Sequence, residues 1–262
     1  MTLITDWLTW LEIDRGRSPN TVATYSRSLR TLPNAETATR EDVEKWWRDR
    51  AAEGIAPSSR NNELAAVRSF FRWCVRFDHR LDDPTARLDP VRVGKRVSRF
   101  VGKADLDTLL ATLPPDLRRA VALGAYGGLR VSEAASLHWR DVNTESRRVT
   151  VRGKGDKERS VGISVTLLDY LLPDNGGYVV TGKDHTVTGH ALQVKVNRAI
   201  KKAGVDATFH KLRHRFGYKS AEAGVAPTSI ARAMGHESLS TTMGYIAAVD
   251  SDLDLIAEAV TK

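Results

Sequence analysis

A chain of 262 residues and 29.0 kDa has room for one large domain or two modest ones, each with its own core. Its single cysteine, Cys74, excludes an intramolecular disulfide framework, and no stretch approaches the ~18 apolar residues of a membrane span. The net charge of +8 and pI near 9.7 suit a polyanionic partner, and the absence of a cationic leader at Met1–Asp6 predicts a cytoplasmic protein.

The charge is unevenly placed. Residues 1–90 carry 14 Lys/Arg against 14 Asp/Glu, and residues 104–262 carry 21 against 18. Between them, 91–103 holds five cations (Arg92, Lys95, Arg96, Arg99, Lys103) and no acid. Such a segment is either a strap across a phosphate backbone or a solvated basic linker.

The first 85 residues read as helices only. Leu3, Trp7, Leu8 and Leu11 recur at helical spacing, and Ser18-Pro19 is an N-cap with proline at the first helical position, opening a helix through Leu29. Thr39 with Asp42 imitates a capping box before Val43, Trp46 and Trp47. Ser58 or Ser59 opens a longer helix with Leu64, Val67, Phe70, Phe71 and Cys74 on one face, and Asp83-Pro84 ends the block. Arg27, Arg30, Arg60 and Arg68 either face a partner or cover solvated faces.

Beyond the cationic segment the pattern is mixed. Helices are predicted at Leu106–Leu113, Leu117–Tyr126 and Val131–Leu137. Arg148–Arg152 and Arg159–Ile163 alternate as strands around a turn at Gly153–Asp156, and Tyr178-Val179-Val180 reads as a short strand able to join that sheet. Helices return at about 188–203, 209–223, 227–234 and 238–246. An amphipathic piece at 252–260 either docks on a neighbour or closes its own domain.

Six residues in this second part carry chemistry: Arg130, Lys154, His210, Arg213, His236 and Tyr245. A tyrosine on a late helix is most often a packing residue, and 227–246 also reads as a DNA-binding helix-turn-helix. A turn at Gly235-His236 nevertheless allows imidazole and phenol to meet at one site. His210 and Arg213, three apart on a helix, share a face. His210 and His214 have metal-ligand spacing, but neither an intervening acid nor a third ligand is evident, so zinc is not indicated. Arg213 with Arg130 provides two planar forks for phosphate oxygens. Lys154 at a turn tip is either surface charge or a proton donor entering a groove.

Taken in order, Gly128-Leu129-Arg130-Val131-Ser132-Glu133, Leu137-His138-Trp139-Arg140-Asp141-Val142, Gly153-Lys154-Gly155, His210-x-Leu212-Arg213-His214, Gly235-His236 and Thr241-Thr242-x-x-Tyr245 resemble the tyrosine recombinase (phage integrase) family over about 101–250. The opening Ser18-Pro19-Asn20-Thr21-Val22-x-x-Tyr25 is similar to that family's core-binding domain. The resemblance implies a mainly α fold with a small antiparallel sheet. Its parts are an all-helical core-binding domain at 1–85, a basic linker at 86–103 and a catalytic domain with a C-terminal helix at 104–262.

It also implies roles. Tyr245 is the nucleophile that forms a 3′-phosphotyrosine. Arg130, Arg213 and His236 stabilise the transition state, and His210 is the base or a phosphate hydrogen-bonder. Lys154 is the acid for the leaving 5′-oxygen, Glu133 orients the cations, and His214 is a support. Arg92, Lys95, Arg96 and Arg99 contact DNA. No metal, cofactor or ATP is expected. The partners are duplex DNA core or attachment sites, a homotetrameric synapse built from monomers or weak dimers, and an accessory DNA-bending or directionality factor. Because the helical block opens at Met1, no arm-reading domain is expected, which favours a minimal phage or mobile-element integrase in a bacterial host. An Xer-type resolvase and a non-cutting regulator are the alternatives.

Overall fold

The computed structural model describes residues 2–94, 100–153, 158–172, 176–181, 187–236 and 238–246, the last without its side chain. Lys95, Arg96, Arg99, Lys154 and the 252–260 piece therefore lie outside the described residues. The chain divides into two compact units, Met1–Arg96 and Val97–Lys262.

Four helices build the first unit: α1 (Leu3–Ile13), α2 (Pro19–Leu29), α3 (Arg40–Ala52) and α4 (Pro57–Arg76). Their starts follow local chemistry. Thr2 and Ser18 accept from the backbone N–H groups of Thr5 and Thr21, and Thr39 and Asp42 cap each other reciprocally. Helix α4 begins at Pro57 rather than at Ser58 or Ser59, because the fixed φ of proline suits the first helical position. Trp7, Phe70 and Phe71 are fully buried, each contributing about 2–3 kcal/mol of transfer free energy. Trp7 meets Phe70 edge to face at 5.5 Å and stacks on Tyr25 at 6.1 Å.

Leu88 joins this core, and Asn61 exchanges hydrogen bonds with the Val91 backbone at 2.8 and 2.9 Å. Arg60 and Arg68 turn inward, Arg60 lying over the Trp47 ring at 4.1 Å and Arg68 donating to the Leu88 carbonyl. Arg27, Arg30 and Arg92 are exposed.

In the second unit, α5 (Lys103–Thr112), α7 (Val131–Ser136), α8 (Val165–Leu171), α9 (Gly189–Lys202) and α10 (Phe209–Glu222) pack around α6 (Pro115–Gly127), which is buried on nearly every side. Strands β1 (Val142–Asn143), β2 (Arg148–Arg152) and β3 (Glu158–Gly162) form an antiparallel sheet in that order, pairing Val142 with Val149 and Val149 with Val161. Tyr178 makes only an isolated bridge to His138, so the expected strand at 178–180 does not join the sheet. Val179 and Val180 instead bury as loop residues, with the Val179 N–H donating to Leu137 O at 2.9 Å. Helix α8 was not anticipated, although Ser164 caps it through a bond from the Leu167 N–H at 3.1 Å.

Helices α11 (Pro227–Met234) and α12 (Leu239–Ile246) close the described chain. Among the described residues no helix is long and apolar enough to cross a membrane.

Candidate active site

Gly128 sets the geometry of the site. It ends α6 at φ +64°, and a Cβ there would fall 2.5 Å from the Phe216 ring, so both backbone and space require glycine. Two residues later Arg130 N-caps α7 and faces a cleft of about 1220 Å³. Arg130, Glu133, Arg152, Arg159, His210, Arg213, His214, Arg232, His236 and Tyr245 all line that cleft. Gly153 and Glu158, on either side of residues 154–157 in the chain, line it as well.

A cationic network forms its floor. Three successive carbonyls at the C-terminus of α11 each accept from a different guanidinium. Arg159 Nε reaches Ala233 O at 2.8 Å, Arg213 Nη2 reaches Met234 O at 2.6 Å, and Arg130 Nη2 reaches Gly235 O. Such carbonyls have no partner within their own helix and carry its negative end, so cations satisfy them. Glu133, only 5% exposed, accepts both Arg159 forks at 2.7 and 2.8 Å, Arg130 Nη1 at 2.8 Å and the Arg130 N–H at 2.7 Å. Arg213 Nη1 lies 3.9 Å from the same carboxylate and donates to Gly128 O at 2.6 Å.

Charge in this floor is incompletely matched. Three guanidinium cations face one carboxylate and a helix end worth roughly half a negative charge. The remainder suits a monoanionic phosphodiester. Burial, then the facing Arg130, lowers Arg213 to about 10, which leaves it cationic at neutral pH. Burial raises the Glu133 carboxyl, but hydrogen bonds from Arg159 and the Arg130 amide outweigh it and hold the group below its ordinary value.

Tyr245, 8% exposed, lies on Gly217 of α10 beside Ile230 and Met234. A Cβ at Gly217 would stand 2.6 Å from the Tyr245 ring. The phenol turns inward, unlike the outward-facing side chains of a reading helix. Its hydroxyl is 2.9 Å from His214 Nδ1, and its ring stacks near His236 at 6.1 Å. His236 Nδ1 is held by the Thr242 hydroxyl at 2.9 Å, which leaves Nε2 for the cleft. Burial and the neighbouring cations lower His236 to about 4; burial, His210 and Arg213 do the same for His214. His210, at the cleft mouth, is lowered by partial burial and by Arg213 and Arg130. Burial also raises Tyr245, against the pull of Arg213.

The structure thus brings together Arg130, Glu133, His210, Arg213, His214, His236 and Tyr245. Two placements differ from the sequence reading. Arg159 was read only as a strand residue, yet it is the main partner of Glu133; its signal was an arginine at an inward position of an alternating strand. His214 was read as a support, yet it touches the phenol directly.

The description Phage integrase family matches residues 99–251, and Phage integrase, N-terminal SAM-like domain matches residues 4–77. Tyrosine recombinase XerA of Thermococcus kodakarensis is 31% identical over 264 residues, covering 93% of this chain and 89% of the relative. The fold of a lambda integrase dimer bound to a COC′ core site matches with a TM-score of 0.77 at 18% identity, covering 93% of this chain and 94% of that one. An integrase from mycobacterium phage Brujita is 26% identical, with a TM-score of 0.51 and coverage of 96% and 88%. Because those two family matches span residues 4–77 and 99–251, the chain belongs to the phage integrase family of tyrosine recombinases, enzymes that break and rejoin DNA strands.

Proposed function

We propose that this recombinase acts on duplex core or attachment sites and integrates, and helps excise, a phage or mobile-element genome. The observation that carries the chemistry is the Tyr245 hydroxyl in the same cleft as the Arg130–Glu133–Arg159–Arg213 network. In this reading the phenol attacks the scissile phosphorus and forms a 3′-phosphotyrosine. The P–O5′ bond breaks, and Lys154 protonates the departing oxygen. Arg130, Arg213 and His236 hold the non-bridging oxygens, whose charge grows in the transition state. Bond energy is kept in the phosphotyrosine, so rejoining needs no ATP. Arg92, Lys95, Arg96 and Arg99 contact the DNA backbone, and their loss reduces the salt dependence of binding.

Four protomers act together in a homotetrameric synapse on two duplexes. The protein free of DNA is a monomer or weak dimer, and an accessory bending or directionality factor sets the outcome. Replacing Tyr245 by Phe abolishes the denaturation-resistant adduct on a nicked suicide duplex while site binding persists; an adduct from that variant overturns the assignment.

The likeness to the mycobacterium phage Brujita integrase supports the integrase reading. A second reading, an Xer-type resolvase, is favoured by relatives named XerA, XerC and XerD at 26–32% identity. Joining of two non-identical sites on separate duplexes supports integration. Resolution restricted to two identical sites on one circle supports the resolvase.

A further inference from the structure

We propose that His214, rather than His210, takes the proton from Tyr245 as the phenol attacks, leaving His210 to hold the phosphate. This rests on the reading of Tyr245 as nucleophile and names the base for that step.

Geometry separates the three imidazoles of the cleft. His214 Nδ1 stands 2.9 Å from Tyr245 Oη, the spacing of an O–H donating to a nitrogen lone pair. One turn earlier on α10, His210 meets the edge of the His214 ring at 4.3 Å, and no hydrogen bond links it to Tyr245. His236 commits Nδ1 to Thr242 and stacks against the Tyr245 ring, with no hydrogen bond to its hydroxyl. Among the described residues, His214 is the sole hydrogen-bond partner of the phenol.

The groups facing His214 are His210 and Arg213 from α10, His236 from the turn after α11, and Tyr245 from α12. Burial, then His210, Arg213 and His236, lower its pKa to about 4, which keeps Nδ1 unprotonated across the neutral range. An imidazolium is costly at this position because the ring is buried and His210 and Arg213 stand beside it. A bound phosphodiester brings the opposing charge, so proton transfer becomes favourable when DNA fills the site.

The step balances. The Tyr245 O–H bond breaks and its proton moves to His214 Nδ1. The Oη–P bond forms, and P–O5′ breaks with the proton from Lys154. On rejoining, His214 returns its proton to Tyr245.

The test is single-turnover adduct formation on a nicked suicide duplex, comparing wild type, His214→Asn and His210→Gln. Asparagine places Oδ1 near the Nδ1 position and still accepts the phenol hydrogen bond, but it cannot hold a proton. His214→Asn is expected to bind duplex like wild type and to cleave about 10²–10⁴-fold more slowly at neutral pH. Its rate should climb about tenfold per pH unit from pH 7 to 9 as hydroxide replaces the base, while wild type and His210→Gln stay flat. Near-wild-type cleavage by His214→Asn, a flat profile in it, or the climb in His210→Gln instead, overturns the proposal. His214→Ala with added imidazole covers the case in which asparagine disturbs the packing of α12. Rescue that rises with free imidazole base is expected, and its absence overturns the proposal. An adduct formed by Tyr245→Phe sinks the underlying nucleophile assignment and is distinct from each of these results.

Discussion

Glu133→Gln tests the network beneath the cleft. The carboxylate is 5% exposed and accepts four hydrogen bonds, two from the Arg159 fork and two from Arg130. A glutamine offers one oxygen and one NH₂, so at least one Arg159 N–H then faces another donor. Arg159, with a side chain 10% exposed, also keeps its charge without a counterion. Breaking a buried pair from one side costs roughly 3–5 kcal/mol, because the remaining charge is stranded. At roughly 2–4 °C per kcal/mol for a unit of this size, calorimetry should show Tm falling by about 6–20 °C. The sign with pH follows from linkage. The folded carboxyl lies below its ordinary 4.5, so its contribution is complete above 4.5 and is lost as pH falls through the lower folded value. The gap between wild type and variant therefore narrows on acidification below 4.5. A variant melting within about 2 °C of wild type at neutral pH refutes the claim that Glu133 holds the floor together.

Gly217→Ala places a methyl 2.6 Å from the Tyr245 ring, so cleavage of a nicked duplex should fall at least about tenfold with binding retained. An unchanged rate shows that the ring does not need its seat on α10. Lys154→Ala should slow cleavage more than binding, and a 5′-thio leaving group, which needs little protonation, should recover much of the rate. Failure of that rescue removes Lys154 from the acid role. His214 and His236 titrate near 4 in the folded chain against an ordinary 6.5, so the unfolded chain binds more protons between those values. Stability is then full above 6.5 and declines as pH falls toward 4. Equal urea midpoints at pH 7 and 5 contradict this.

Periodicity and capping chemistry made most helices legible. Ser18-Pro19 and the Thr39–Asp42 pair mark their helix starts by hydrogen bonds made within three residues, which a single sequence displays. Elements fixed from outside were harder to read. Tyr178–Val180 has the apolar, β-branched character of a strand, but Val179 and Val180 bury as loop residues, with the Val179 N–H donating to Leu137 O. Arg60 and Arg68 resembled surface cations because nothing local shows that Trp47 and the Leu88 carbonyl will receive them. The site divides in the same way. Arg130, Arg213 and Tyr245 stand in recognisable local contexts. Arg159 meets Glu133 across 26 positions and Ala233 across 74, separations over which a pattern carries no pairing information.

Why the floor uses backbone carbonyls follows from charge. Each buried guanidinium needs several acceptors to offset its desolvation. A carboxylate for every arginine would satisfy them but would bring the site close to neutrality, and a phosphodiester would then find no net attraction. Carbonyls at the end of α11 accept the same hydrogen bonds while adding only partial charge. The single carboxylate, Glu133, fixes the forks in place, and the uncompensated positive charge remains for the ligand. Burial first, and the same excess second, keep both histidines near Tyr245 neutral. In the proposed mechanism one electrostatic arrangement serves both phosphate binding and the proton acceptor beside the phenol. A second carboxylate added to this floor would weaken both properties together, whereas an added carbonyl would weaken neither.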